Sequence, residues 1–105
     1  MGPVEVGFYA TIDVIDEHLT AAFDVHMKAN VSRSVQSWVI PGEITVDDIR
    51  ITHVCSVTLY SCGRCVANTI VFRDKEKAAI ETLKPHIDMD RMRKLAIDAF
   101  EKQTA

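Results

Sequence analysis

Residues 49–72, IRITHVCSVTLYSCGRCVANTIVF, decide the fold, because apolar and polar residues alternate on both sides of the central CGRC. Alternation with a period of two is typical of an extended strand that has one buried face. Glycine as the first residue of a two-residue loop favours a type II′ turn, because that position requires a positive φ angle. The stretch therefore predicts a β-hairpin with Gly63 and Arg64 at its tip.

This hairpin prediction specifies both the strand register and the buried face. A loop at Gly63-Arg64 implies four cross-strand pairs: Val57–Ile70, Cys55–Phe72, Leu59–Asn68 and Thr58–Thr69. On the first strand, one alternating set is expected to face the core: Ile49, Ile51, His53, Cys55, Val57 and Leu59. The alternative is a helix that continues over residues 66–70, but the β-branched residues at 69–71 favour a strand.

The preceding part of the chain predicts another hairpin. Residues 4–15 and 20–33 alternate regularly around a polar break at 16–19. Their apolar residues form the pairs Ile12–Phe23, Ala10–Val25 and Phe8–Met27. Residues 34–48 are less regular, and Thr45 either caps a short helical turn there or belongs to a loop.

After Phe72 the apolar spacing changes to three and four residues, which predicts two helices. Asp74 is expected to cap a helix over 75–83, and Asp88 a helix that ends near residue 103. Strands followed by helices indicate one α+β domain over residues 1–105, an antiparallel four-stranded sheet of two hairpins with two C-terminal helices packed on one face. The residues expected in its core are Phe23, Val25, Ile51, Val57, Ile70, Leu95 and Phe100.

The composition restricts the class of protein. The chain has 105 residues, 48% of them hydrophobic, and a formal net charge of -3, which disfavours nucleic acid as a partner. Its three cysteines do not form a secreted disulfide framework. Because neither a signal peptide nor a membrane-spanning apolar segment is evident, a cytoplasmic location is expected.

Cys62 and Cys65 have the CxxC spacing of redox and metal sites. Residues 57–65 resemble the strand-to-CxxC passage of thioredoxin-like proteins, which implies thiol–disulfide exchange. The resemblance covers that segment alone; hairpins precede it where that fold has a βαβ unit, and no proline-led strand pair follows. A zinc site would need His86, His18 or a second chain in addition. We expect neither cofactor nor metal, with the two cysteines opposed across the turn and exposed, and with Cys55 buried.

Two further groups of residues suggest a catalytic pair and a nucleic-acid contact, but each has a simpler interpretation. His53 and Cys55 lie two residues apart on one strand and are expected to point the same way, which is the arrangement of a base and a nucleophile, but no acidic residue on that face orients the histidine. A hydrogen-bonded core histidine is the simpler interpretation. Three basic residues at the start of the last helix suggest a nucleic-acid contact, but nearby aspartates favour a solvated helix face: Arg91, Arg93 and Lys94.

No catalytic constellation is evident, so the sequence favours a small acidic protein-binding module that acts through its surface and is not an enzyme. Small inhibitor and accessory proteins of phages and mobile elements have a similar profile. The apolar cluster Trp38, Val39 and Ile40 is the expected binding surface, and exposed strand edges predict a homodimer. The alternatives are a thiol-redox or metal-dependent protein that uses Cys62 and Cys65, and a structural subunit of a larger assembly.

Overall fold

The structure is a computed structural model that describes residues 2–34 and 42–104. Four antiparallel strands form one sheet in the order β1-β2-β3-β4, and two helices follow them, which confirms the predicted α+β arrangement. The elements are β1 (Val4–Asp16), β2 (Leu19–Arg33), β3 (Ile44–Ser61), β4 (Arg64–Ile70), α1 (Arg73–Leu83), a 3₁₀ turn (Lys84–His86) and α2 (Met89–Thr104).

The first hairpin has the register that the alternation predicted. Ile12 pairs with Phe23, and the regular ladder continues to Val4 opposite Val31. The loop consists of Glu17 and His18, with Glu17 at a φ of 47°. One face of this hairpin carries the apolar residues of both strands, so a register slip would expose the whole set.

The core lies between that apolar face and one side of each helix. The helices contribute Leu83, Met92, Ala96 and Phe100. The strands contribute Val6, Phe8, Ile12, Val25, Met27, Ala29, Val31, Ile51 and Val54. Among the predicted core residues, Phe23, Val57 and Leu95 are only half-buried. Burial of Ile70 is a wrong prediction, because 69% of that residue is exposed.

β3 is longer and less regular than predicted. It begins at Ile44, so residues 45–48 are strand and form neither a helical turn capped by Thr45 nor a loop. Three register shifts against β2 each leave one additional residue on β3, which is the geometry of a β-bulge. Each bulge moves the alternation by one residue, so the residues on the core-facing side are Ile44, Val46, Ile49, Ile51, Val54, Val57 and Leu59, of which the first five pack in or against the core. His53 and Cys55 therefore do not belong to that face.

The turn between β3 and β4 also differs from the prediction. Its two loop residues are Cys62 and Gly63, with φ angles of 52° and 81°, the pair of positive values that a type I′ turn requires. Val66 is an additional residue in β4, between the Tyr60–Cys65 and Leu59–Ala67 pairs. The ladder is consequently shifted by one residue, and the four predicted cross-strand pairs are wrong. The observed pairs are Ser56–Ile70, Val57–Thr69, Thr58–Asn68 and Leu59–Ala67.

The helix starts are confirmed in one case and corrected in the other. Asp88 caps α2, because its Oδ1 accepts a hydrogen bond of 3.2 Å from the backbone N–H of Arg91. α1 begins at Arg73, two residues earlier than predicted, with extended Phe72 at its N-cap. Asp74 thus lies in the first turn, where its negative charge interacts favourably with the helix dipole.

Candidate functional site

Cys62 and Cys65 are not the opposed pair that the sequence predicted. Cys62 is a loop residue, whereas Cys65 lies in β4 opposite Tyr60. Both thiols are free and exposed, and the helix that follows them begins only at Arg73. The structure therefore does not contain the strand-to-helix CxxC passage of thioredoxin-like proteins at these cysteines.

The structure places the candidate metal ligands on separate elements. His86 lies at the end of the 3₁₀ turn and is exposed, as is His18 in the first hairpin loop. Within residues 2–34 and 42–104, no group of three or more His, Cys, Asp or Glu side chains is arranged to hold a metal ion. The backbone N–H of Cys62 donates to the carbonyl of His18 over 3.3 Å, which joins the two hairpin tips.

His53 and Cys55 are exposed, so the predictions of a core histidine and a buried thiol are wrong. The physical reason is the bulges of β3, which turn both residues away from the core. His53 has an acidic neighbour that the strand pattern did not show: its Nδ1 lies 3.2 Å from Oε1 of Glu76 in α1. This contact joins α1 to β3.

His26, which pairs with His53, is held in one orientation by Thr52. The Thr52 hydroxyl donates to the carbonyl of His26 over 3.1 Å, so the 2.7 Å contact requires Nδ1–H of His26 to donate to Thr52 Oγ1. Partial burial lowers the pKa of His26, and the electrostatic effects of His53 and Lys28 lower it further. A Cβ atom at Gly7 would lie 3.0 Å from Nε2 of His26, so glycine leaves room for the ring. His26 and Thr52 therefore form a hydrogen-bonded pair that stabilises the contact between β2 and β3.

The basic residues of α2 are exposed, and two of them make contacts within the chain. Nη1 of Arg91 donates to the carbonyl of Thr11 over 3.0 Å, and Nη1 of Arg93 lies 3.3 Å from Oδ1 of Asp90. The predicted binding cluster Trp38, Val39 and Ile40 lies outside the described residues.

β4 is the most exposed element of the sheet. All seven residues of Arg64–Ile70 are exposed, so neither face of this strand is covered. Three large apolar side chains stand along it or directly after it: Val66 is 58% exposed, Ile70 69% and Phe72 70%. Apolar residues grouped along a strand in this way are typical of a binding surface.

The hydrogen-bond pattern shows which backbone groups of β4 point outward. The N–H of Val71 donates to the carbonyl of Cys55 over 3.1 Å, which makes Ser56–Ile70 a pair that exchanges no hydrogen bonds of its own. Such pairs alternate along an antiparallel ladder, so Thr58–Asn68 is another. The N–H and C=O groups of Asn68 and Ile70 therefore point away from β3, to the outer edge of the sheet.

The other edge of the sheet is partly covered. Arg91 of α2 binds the carbonyl of Thr11 in β1, and α2 and the 3₁₀ turn both contact that strand. Neither β1 nor β4 contains proline or lysine, the residues that commonly protect an edge strand, so the contacts of α2 and the 3₁₀ turn with β1 are what distinguishes the two edges. Among the described strands, β4 thus offers the more accessible edge. The sequence pattern did not predict this site, because the predicted pairing of Val57 with Ile70 would bury Ile70.

No protein-family model, curated protein or solved structure matches this chain. Within residues 2–34 and 42–104, neither helix has the length and apolar character needed to cross a membrane.

Proposed function

We propose that the protein is a protein-binding module that pairs an extended segment of its partner with the edge of β4. The observation that carries this proposal is the outward direction of the backbone N–H and C=O groups of Asn68 and Ile70. An added strand bonds to such groups, and the main-chain hydrogen bonds supply affinity without requiring a particular sequence.

Specificity would come from the side chains beside that edge. Val66, Ile70 and Phe72 each expose more than half of their surface, and a partner strand would cover part of it. Burial of apolar area contributes about 25 cal/mol per Å² before the costs of association are subtracted. The mixed apolar and polar composition of β4 is consistent with a surface that is exposed before binding and covered after it.

Replacing Asn68 with proline tests the proposal, because proline removes the outward N–H and leaves the hydrogen bonds between β3 and β4 in place. Asn68→Ala is the matched control: both variants lose the 2.6 Å hydrogen bond from Asn68 Nδ2 to Thr58 Oγ1, but alanine keeps the N–H. We expect proteins captured from host extract by the wild type to be captured equally by Asn68→Ala and several-fold less by Asn68→Pro. Equal capture by the two variants would place the binding site elsewhere.

A further inference from the structure

We propose that a second copy of this chain occupies the β4 edge and forms a two-fold dimer in which the two sheets join into one. This inference rests on the strand-pairing role proposed above and names the partner. Two β4 strands related by a two-fold axis run antiparallel, so the same edge serves both copies.

The outward N–H and C=O groups of Asn68 and Ile70 determine the register of this dimer. With the axis at Thr69, Asn68 of each copy lies opposite Ile70 of the other, and the outward N–H and C=O groups of both residues form four backbone hydrogen bonds. This register also places Val66 opposite Phe72 of the second copy. Two large, exposed apolar side chains thereby cover each other at each end of the interface.

The charges permit this arrangement. Arg64 is the only charged residue of β4, and in this register the two copies of Arg64 lie at opposite ends of the ladder, about 30 Å apart at the usual strand rise. Each Arg64 approaches the first turn of α1 of the other copy, where the charges of Asp74 and Glu76 are balanced by those of Arg73 and Lys75. Like charges therefore do not meet across the paired strands themselves.

The other edge of the sheet favours a closed dimer over a fibre. A head-to-tail assembly would require β4 of one copy to pair with β1 of the next, which would repeat without closure. In β1, however, Arg91 already occupies the carbonyl of Thr11, and the adjoining turn and helix contact the strand. A single strand pair is a small interface, so we expect reversible dimerisation that depends on concentration.

Sedimentation velocity under reducing conditions tests the dimer, since a reductant excludes disulfides between the exposed cysteines. Over a concentration series from roughly 1 μM to several hundred micromolar, the wild type should shift towards twice its 11.8 kDa chain mass. Asn68→Pro removes two of the four backbone bonds, so it should weaken self-association by about tenfold or more, while Asn68→Ala should resemble the wild type. A mass of 11.8 kDa at every concentration would overturn the dimer.

Val66→Lys gives an independent variant that leaves the backbone unchanged. It places a charge against Phe72 of the second copy and should also weaken the dimer, whereas Val66→Ile should not. Unchanged dimerisation of Val66→Lys and Asn68→Pro would overturn the proposed register. A monomeric wild type would overturn the dimer. If Asn68→Pro nevertheless captures fewer proteins from cell extract than Asn68→Ala does, the proposed strand-binding function is still supported.

Discussion

Phe100→Ala is expected to lower the free energy of unfolding by about 3–5 kcal/mol, the usual range for removing a buried phenylalanine. Phe100 lies near the end of α2, is almost completely buried and belongs to the same core cluster as the central strands. The guanidinium of Arg33 also lies 5.9 Å from the centre of its ring, so alanine removes that cation–π contact as well.

Urea unfolding followed by circular dichroism measures this effect, with Met89→Ala as the control. Met89 is the first residue of the same helix and is exposed, so its truncation should cost less than about 1 kcal/mol. A loss below about 1 kcal/mol for Phe100→Ala would show that α2 does not close the core in solution.

Leu83→Ala is expected to lower the free energy of unfolding by about 2–5 kcal/mol. Leu83 is the last residue of α1 and the only residue of that helix that is fully buried within the described chain. Its side chain therefore holds α1 and the following 3₁₀ turn against the sheet. The loss includes both the transfer of its methyl groups from the core and the cavity that remains.

Leu19→Ala is the matched control for this substitution, because Leu19 begins β2 and half of its surface is exposed. Its effect on the urea midpoint should be small, since little apolar surface leaves a buried environment. Similar midpoints for Leu83→Ala and Leu19→Ala would mean that α1 is not packed where the structure places it.

The first hairpin could be predicted from the sequence because its alternation is continuous over both strands. A pattern in which Phe8, Ile12, Phe23 and Val25 share one face has one register that buries them together. The helix start at Asp88 could be predicted for a similar reason, since the cap and the apolar stripe of α2 agree. Local and tertiary preferences coincide in these elements.

β3 and β4 could not be predicted to the same extent. Three bulges in β3 change which residues face the core, and nothing in the residue composition marks where the bulges lie. For this reason the prediction that His53 and Cys55 face the core is wrong. β4 has no buried face, so hydrophobic matching does not determine its register and the turn geometry does. The contact between His53 and Glu76 joins residues distant in the sequence, and only the packing of α1 against β3 brings them together.

Amide hydrogen exchange of β4 tests the binding edge most directly. The amides of Ala67 and Thr69 bond to β3 and should exchange slowly at every concentration, whereas those of Asn68 and Ile70 should exchange quickly in dilute protein. We predict that Asn68 and Ile70 become protected as the protein concentration rises or when a protein partner binds. Fast exchange of these two amides under all conditions, or slow exchange already at high dilution, would contradict the account.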